Sequence, residues 1–262
     1  MTRAERPTTS EQASDHKGSE ARGHAVDPGF DRAIDDGAMD GAIDDAMDDA
    51  LLDRARATKG FMPDDEGLAL YRAALRTGPV GPTGGTIVEI GAWCGKSTIY
   101  LGAAAQRTGG VVFSVDHHHG SEENQPGWEH HDSSVVDVRT GRIDTLPYWR
   151  AAVDGAGLAD CVVGVVGDSA VVAARWRTPV DLCFIDGGHG AGPAWADYRG
   201  WAPHVAVGGW LVIHDVFENP ADGGRPPYEL WRAALRSKQF VADGECGSLR
   251  VLRRVSPPDA AR

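Results

Sequence analysis

One segment of the chain, Thr86-Ile-Val-Glu-Ile-Gly-Ala-Trp-Cys-Gly-Lys-Ser-Thr98, points to the architecture of the whole. Its first five residues have the apolar, β-branched character of a buried strand, and a glycine loop and a helix start follow. A crossing of this kind places backbone amides and a helix N-terminus at the carboxyl end of a strand, where open α/β sheets bind nucleotide-like ligands. The segment therefore predicts an α/β domain with a ligand site at this loop.

Three kinds of ligand loop fit part of this segment, and the spacing of its glycines separates them. A phosphate-binding P-loop requires a glycine where Ile90 stands, and Glu89 would lie beside its triphosphate with the wrong charge. A dinucleotide fingerprint requires its second glycine where Trp93 stands. An S-adenosylmethionine site is the third kind, and an acidic loop is favourable there because that ligand carries a cationic ammonium and sulfonium. We favour this third interpretation.

The pattern Glu89-x-Gly91-x-x-x-Gly95-x-Ser97 resembles the first motif of class I S-adenosylmethionine-dependent methyltransferases. The resemblance is closest to the catechol O-methyltransferase branch, which tolerates an aromatic residue at the position of Trp93. The alternative is an ordinary strand-to-helix turn of an unrelated α/β domain. The residues that follow help to decide between these two interpretations.

From Thr86 onward, strand and helix patterns alternate through five units, which predicts a parallel sheet with right-handed crossovers. Two strand-like runs near the end, Gln239–Ala242 and Leu249–Leu252, flank a turn with no helix between them and predict a hairpin. This order resembles the seven-stranded, Rossmann-like methyltransferase sheet, which is parallel except for one antiparallel C-terminal strand. A further helix, signalled by Met62-Pro-Asp-Asp-Glu, precedes the sheet, and in this family such a helix covers the cofactor or acceptor site. We assign residues 60–256 to this domain.

Residues 1–55 resemble an acidic extension without a core of its own. The first 30 residues are poor in large apolar groups, and this composition predicts disorder. From Ala33 to Leu52, many aspartates accompany an apolar stripe at four-residue steps, formed by Met39, Ile43, Met47 and Leu51. That stripe suits either a helix that docks on a partner or, as we favour, a marginal helix or charged tail.

The composition argues against several kinds of partner. A net charge of −12 disfavours nucleic acids, which require a basic face. No apolar run reaches the length of a membrane span and the start lacks a signal region, so we expect no membrane partner. The four cysteines form no Cys-x-x-Cys pair, which favours free thiols in a reducing, cytoplasmic setting. The sequence leaves open whether the chain forms a homo-oligomer.

The family resemblance assigns cofactor contacts to residues that follow several strands. Asp116 follows the second strand, and the family uses this position to hold the hydroxyls of the ribose. Gly167-Asp168-Ser169 follows the third strand, where family members hold the adenine edge, although Asp168 and Ser169 also suit a helix N-cap. The predicted cofactor-binding residues are Glu89, Gly91, Gly95, Ser97, Asp116, His117, Asp168, Ser169 and Asp186.

Polar residues at the ends of two further strands predict the chemistry, since the fourth strand ends in Asp186-Gly-Gly-His189 and the fifth in His214-Asp215. In catechol-type relatives these positions hold a divalent cation and a base. The resemblance therefore implies a metal site formed by Asp186, His214 and Asp215, with His189 as the catalytic base. Physically, a cation acidifies a hydroxyl group, and a neutral imidazole takes its proton near neutral pH. The alternative is a structural hydrogen bond between Asp186 and His214, with His189 as a helix cap.

One member of this set departs from the family pattern. His214 stands where a carboxylate is usual, and Mg²⁺ prefers oxygen ligands. The substitution makes Mn²⁺, or a site without metal, more compatible with the sequence than a pure Mg²⁺ site. The predicted cofactors are S-adenosyl-L-methionine and, where a metal is used, Mg²⁺ or Mn²⁺.

The segment from His117 to Pro147 is long and irregular, but its composition is not that of a flexible linker. Trp128 offers a flat apolar face and residues 122–125 offer partners for hydroxyl groups, so we expect a folded insertion that binds a sugar or another polyhydroxylated acceptor. The insertion resembles that of actinobacterial sugar 1-O-methyltransferases that act on mannose polysaccharides. The sequence thus predicts an O-methyltransferase for a small hydroxylated acceptor. The alternatives are a non-catalytic S-adenosylmethionine-binding protein and a P-loop-like nucleotide-binding protein.

Overall fold

The structure is a computed structural model that describes residues 45–78, 84–128 and 130–257 of the 262-residue chain. The disorder predicted for the first 30 residues lies outside these ranges, as do Met39 and Ile43 of the predicted apolar stripe. Within them, none of the helices combines the length and the apolar character that crossing a membrane requires.

Helices and strands alternate along most of the chain. The helices are α1 Asp49–Ala57, α2 Asp64–Leu75, α3 Lys96–Thr108, α4 Leu146–Gly155, α5 Ser169–Ala173, α6 Ala191–Trp201 and α7 Arg225–Arg236. The strands are β1 Thr86–Ile90, β2 Val111–Asp116, β3 Val136–Asp137, β4 Arg142–Ile143, β5 Val162–Val166, β6 Val180–Ile185, β7 Val205–Ile213, β8 Phe240–Cys246 and β9 Leu249–Arg254. The pair β3 and β4 forms a small separate sheet within the predicted insertion.

The other seven strands form one sheet in the order β5-β2-β1-β6-β7-β9-β8. Neighbouring strands are parallel from β5 to β7, whereas β9 runs antiparallel to both β7 and β8. This arrangement confirms the predicted seven-stranded sheet with one antiparallel strand near its C-terminus. Because Ile90, Ile185 and Ile213 are paired across β1, β6 and β7, the residues that follow them lie side by side.

Helices cover both faces of the sheet, which is why its central strands are apolar along most of their length. On one face, Leu70 of α2 and Ile99 of α3 belong to a large buried cluster. On the other, Trp201 of α6 and Leu230 of α7 belong to a second cluster. With both faces covered, the carboxyl ends of the strands are the part of the sheet that can receive a ligand.

The folded part of the chain begins earlier than we expected. Residues 49–55, which we assigned to the acidic extension, form most of α1, and Asp48 caps this helix by accepting hydrogen bonds from two amides of its first turn. Helix α1 packs against α3, and Met47 just before it is buried. This segment therefore belongs to the domain, because Ala55 is buried and the partly buried Leu51 and Leu52 pack against the core.

Candidate active site

The loop between β1 and α3 turns sharply, and its glycines make the turn possible. Gly91 and Gly95 have φ angles of 86° and 95°, a region in which a residue with a side chain is strained. A side-chain carbon at Gly91 would also overlap the backbone carbonyl of Asp186, just after β6. The loop therefore lies directly against the strand end that carries a predicted metal ligand.

Glu89 lies beneath this loop, fully buried, and its carboxyl group accepts hydrogen bonds from three hydroxyl groups. These belong to Ser97 at 2.6 Å, Thr98 at 2.7 Å and Ser114 at 2.6 Å. Burial raises the pKa of Glu89 to about 7, in spite of these hydrogen bonds. Glu89 thus ties the start of α3 to β1 and β2, which is a supporting position rather than the direct cofactor contact that we predicted.

A cavity of about 600 Å³ opens above the carboxyl ends of the parallel strands. It is lined by every predicted site residue except Glu89 and Gly95. The lining residues from the predicted set are Gly91, Ser97, Asp116, His117, Asp168, Ser169, Asp186, His189, His214 and Asp215. The sheet therefore gathers in one place residues from the loops after β1, β2, β5, β6 and β7.

Asp116 at the end of β2 holds the glycine loop in place. Its Oδ2 atom accepts hydrogen bonds from the backbone amides of Ala92 and Trp93, both at 2.9 Å. Its Oδ1 atom accepts one from the amide of His118 at 2.7 Å. A carboxylate has about four lone-pair positions, so one is left for a ligand hydroxyl. His117, the next residue, also lines the cavity, and its side chain is about half exposed.

The segment after β5 caps a helix and lines the cavity at the same time. Asp168 caps α5 by accepting a hydrogen bond from the amide of Val171 at 3.0 Å. The hydroxyl of Ser169 donates to Asp197 of α6, a buried carboxyl group that no motif marked. Burial raises the pKa of Asp197 to about 6. The sequence signal that could have revealed Asp197 is its place one helical turn after Ala194, on the buried side of α6.

His214, directly after β7, is buried between two carboxyl groups. Its Nδ1 atom lies 3.0 Å from Oδ1 of Asp186, and its Nε2 atom lies 2.5 Å from Oε2 of Glu66 on α2. Burial alone would lower the pKa of His214, but these partners raise it well above 6.5. Both ring nitrogens of His214 thus face carboxyl oxygens, and His214 is not in the group of described residues whose ligand atoms converge closely enough to hold a metal ion. No signal in the sequence revealed the contact with Glu66, because no spacing along the chain connects Glu66 to His214.

His189, in the loop after β6, also lies between two carboxyl groups. Its Nε2 atom is 2.9 Å from Oδ2 of Asp215, and its Nδ1 atom is 3.1 Å from Oε2 of Glu123 in the insertion. Burial opposes the charged ring, but the two hydrogen bonds favour it and raise the pKa of His189 to about 10. Without ligands the ring is an imidazolium at neutral pH, and it must lose that proton before it can act as the predicted base.

Three side chains in the cavity converge closely enough to bind a metal ion. Asp186, His189 and Asp215 offer ligand atoms that all lie within 4.8 Å of one another. Compared with the predicted set, His189 takes the place of His214. Two carboxylates and one imidazole suit Mn²⁺ and, less closely, Mg²⁺. The donor set therefore fits a divalent cation, although an ion bound to His189 would occupy a nitrogen that a base needs.

Two segments form the outer wall of the cavity. One is residues 59–62 between α1 and α2, and the other is the insertion, which contributes residues 120–124 and His130. The ammonium group of Lys59 contacts the carboxylate of Asp132 and the hydroxyl of Ser134, so an ion pair joins the two segments. The insertion is thus folded against the rest of the domain.

Aromatic side chains lie on this wall, but not the one that we expected. Phe61 is 65% exposed, and its ring centroid lies 6.0 Å from that of Trp93 and 5.5 Å from that of His130. All three residues line the cavity. Trp128, to which we assigned the acceptor contact, is 54% exposed and is not among the lining residues. Phe61 escaped the sequence analysis because it precedes α2 and belongs to no motif.

The chain is similar to known methyltransferases in sequence profile and in fold. Residues 88–216 match a family described as a methyltransferase domain. The O-methyltransferase NovP shares 16% identity over 74% of this chain and 81% of its own, with a TM-score of 0.55. The SAH-bound methyltransferase PaMTH1 of Podospora anserina shares 14% identity over 80% and 89%, with a TM-score of 0.54. The calicheamicin methyltransferase CalS11 shares 18% identity over 72% and 77%, with a TM-score of 0.51.

The matched residues include the glycine loop and the ends of the five strands that surround the cavity. The seven-stranded sheet, with β9 inserted antiparallel, is the one that the alternating units and the C-terminal hairpin led us to expect. Together, the family match and the fold show that residues 88–216 form a methyltransferase domain and that the chain has the seven-stranded fold of class I S-adenosylmethionine-dependent methyltransferases.

Proposed function

We propose that this methyltransferase transfers the methyl group of S-adenosylmethionine to a hydroxyl group of a small polyhydroxylated acceptor, such as a sugar. The observation that carries the proposal is the ring of His189, which Asp215 holds at the carboxyl edge of the sheet. An imidazole oriented by a carboxylate, once neutral, is well suited to remove the proton of a hydroxyl group.

Methyl transfer is an in-line displacement, so the acceptor oxygen must face the methyl carbon opposite the sulfur. The oxygen forms its bond to the methyl carbon as the carbon–sulfur bond breaks, and the electron pair of that bond stays on sulfur. The products are the methyl ether and S-adenosylhomocysteine, while the hydroxyl proton passes to the neutral ring of His189. The positive sulfonium of the bound cofactor disfavours an imidazolium nearby, so cofactor binding shifts His189 towards the neutral form.

The two partners of His189 differ in their place in the fold. Asp215 follows β7 by two residues, whereas Glu123 belongs to a single short helical turn of the insertion. We infer that the acceptor hydroxyl takes the place of Glu123 at Nδ1, while Asp215 keeps its hydrogen bond to Nε2 and orients the ring.

The charges around the cavity favour an uncharged acceptor over a phosphorylated one. Among the described residues that line it, the lysines are Lys59 and Lys96, and carboxyl groups outnumber them. The carboxyl groups are those of Asp116, Glu122, Glu123, Asp168, Asp186, Asp197, Asp215 and Asp222. Carboxylates accept hydrogen bonds from sugar hydroxyls but repel phosphates, and the rings of Phe61 and Trp93 offer apolar faces to a sugar ring.

Two similarities agree with this acceptor class. The description of NovP as an O-methyltransferase, within a shared fold, is consistent with a hydroxyl group as acceptor. The resemblance of the insertion to that of mannose-polysaccharide methyltransferases points to a sugar.

As a second arrangement of the acceptor, we propose that Asp186 and Asp215 hold a divalent cation, Mg²⁺ or Mn²⁺, and that the acceptor oxygen binds this cation on the Nε2 side of His189 instead of binding at Nδ1. The convergence of their ligand atoms with those of His189 supports this assignment. A bound cation would polarise the acceptor hydroxyl and lower its pKa. Chelator treatment tests the assignment, because activity that is lost in chelator and restored by either ion supports the metal, whereas full activity in chelator contradicts it.

We also propose a reducing, cytoplasmic setting and no nucleic-acid partner. All four cysteines are free thiols, which supports the first point. The net charge of −12 supports the second, since a nucleic acid would be repelled.

The function is tested by offering the protein radiolabelled S-adenosylmethionine with neutral sugars, phenols and sugar phosphates. We expect label transfer to a neutral polyhydroxylated compound. Transfer confined to phenols or phosphates would contradict the acceptor class. Calorimetry provides the control: S-adenosylmethionine should bind and ATP should not, and a protein that binds the cofactor but labels no hydroxyl would be a non-catalytic binder.

A further inference from the structure

Glu66 is buried beside the active site although it does not line the cavity. It lies in the first turn of α2 and is only 4% exposed. Its Oε1 atom accepts a hydrogen bond from the backbone amide of Ser248 at 2.5 Å, and Oε2 accepts one from the Ser248 hydroxyl at 3.1 Å. Oε2 also lies 2.5 Å from Nε2 of His214. The carboxylate thus connects α2, the turn between β8 and β9, and the end of β7.

The turn between β8 and β9 is shaped around this carboxylate. Gly247 has a φ angle of 51°, and a side-chain carbon there would overlap Oε1 of Glu66. The carbonyl of Ser248 accepts a hydrogen bond from the amide of Val216 at 3.0 Å, which ties the turn to the chain just after β7. Glu66 therefore sits in a fitted position and not in a loose polar pocket.

The chain of contacts continues from His214 into the cavity. The other ring nitrogen of His214 lies 3.0 Å from Oδ1 of Asp186, so a single ring spans the distance from Glu66 to Asp186. The ring is 5% exposed and packs near Phe184, which leaves it little freedom to turn. The orientation of the Asp186 carboxylate therefore depends on a residue that belongs to a different element.

We propose that Glu66 is a positioning residue for methyl transfer: it holds His214, which in turn holds Asp186 against the reacting groups. This inference rests on the proposed function, which places Asp186 beside the acceptor oxygen. It adds a residue from the helix before the sheet to a site that was otherwise built from strand ends.

Glu66 also links the catalytic edge of the sheet to the acceptor wall. Residues 59–62, which line that wall, directly precede α2, and Glu66 fastens the first turn of this helix to the sheet. A change at Glu66 should therefore disturb both the turnover number and the KM for the acceptor, while cofactor contacts at Asp116 and Asp168 stay in place.

The test is Glu66→Gln, which keeps the size of the side chain but loses the charge and one acceptor oxygen. We expect kcat to fall by roughly ten- to a hundredfold, the range reported for residues that orient functional ligands. Asp65→Asn removes a charge from the same turn of α2 and should leave kcat unchanged. Leu158→Ala, a cavity-forming change at the opposite edge of the sheet, controls for lost stability: it should lower the melting temperature without lowering kcat per folded molecule.

The result that would overturn the proposal is a Glu66→Gln protein that loses stability as Leu158→Ala does but keeps wild-type kcat. Crystal structures of wild type and Glu66→Gln provide a readout that needs no acceptor. We expect the Asp186 carboxylate to rotate or shift in the variant. An Asp186 carboxylate that stays in its wild-type position would overturn the positioning role. This readout does not depend on the acceptor, so a failure to find a hydroxyl acceptor would overturn the proposed function alone.

Discussion

The ring of His189 has two carboxylate partners, and our account gives them different roles. Asp215 orients the ring throughout the reaction, whereas Glu123 yields its place to the acceptor hydroxyl. We therefore expect Asp215→Asn to reduce kcat by about a hundredfold or more, because a base that is misplaced or in the wrong tautomer loses most of its effect. Glu123→Gln should reduce kcat less than about tenfold. Steady-state rates of both variants on one acceptor decide the matter, and equal losses would contradict the inferred exchange at Nδ1.

Glu89 makes the stability of the protein depend on pH. Its pKa is raised from 4.5 to about 7 by burial, so the folded state binds a proton more tightly than the unfolded state does. The contribution of Glu89 to the free energy of unfolding is therefore fully present below 4.5 and is lost as the pH rises towards 7. In a Glu89→Gln variant the side chain at this position has no ionisable group, so this part of the fall in unfolding free energy with rising pH should be missing.

We expect the free energy of unfolding of wild type to fall relative to that of Glu89→Gln by on the order of 2 kcal/mol between about pH 5 and about pH 8. Urea denaturation of both proteins across this range measures the difference. All other groups titrate equally in the two proteins. If their plots of unfolding free energy against pH ran parallel, the pKa of Glu89 would not be shifted.

Phe61 and Trp128 let the acceptor wall be tested with a matched pair of aromatic residues. Both are exposed, but Phe61 lines the cavity and Trp128 does not. We expect Phe61→Ala to raise the acceptor KM several-fold, since about 1 kcal/mol of stacking corresponds to roughly a fivefold change. Cofactor affinity should stay the same. A Trp128→Ala protein should resemble wild type, and the opposite ranking in steady-state kinetics would restore the sequence-based assignment.

Helix α1 is held to the domain largely through buried apolar contacts with α3. Met47 is buried at its start, so Met47→Ala should lower the free energy of unfolding by about 2 kcal/mol through lost burial and the space left behind. The control is Val138→Ala, because Val138 is 96% exposed and its loss should be close to neutral. Chemical denaturation compares the two variants, and an unchanged midpoint for Met47→Ala would show that α1 adds little to stability.

The sheet could be predicted from the sequence because its signals are local. Each strand carries its own apolar run, and the glycine loop after β1 marks the edge of the sheet where the cavity opens. Strand β7 was the exception: the sequence predicts a strand only over Trp210–Ile213, whereas β7 begins at Val205. Gly208 and Gly209 interrupt its apolar pattern, and the pairing of β6 with β7 is irregular there. Gly209 also passes so close to the carbonyl of Asp181 that a side chain would not fit.

The partners of the site residues could not be predicted, because they come from distant parts of the chain. Motif spacing placed His189 and His214 at the correct strand ends, as it did Asp186. It could not show that Glu66, from the helix before the sheet, lies within hydrogen-bonding distance of the His214 ring. Nor could it show that Glu123, from the insertion, contacts His189. These carboxylates favour the charged form of both rings, and Glu66 ties the buried ring of His214 to the helix before the sheet.

The most direct measurement compares wild type and His189→Gln in single-turnover methyl transfer to the identified acceptor, with cofactor affinity measured separately by calorimetry. Our account predicts that His189→Gln binds S-adenosylmethionine at least as tightly as wild type, since it has no imidazolium to repel the sulfonium, but transfers the methyl group about a hundredfold more slowly, the usual effect of losing a general base. A His189→Gln protein that transfers the methyl group at the wild-type rate would contradict the account.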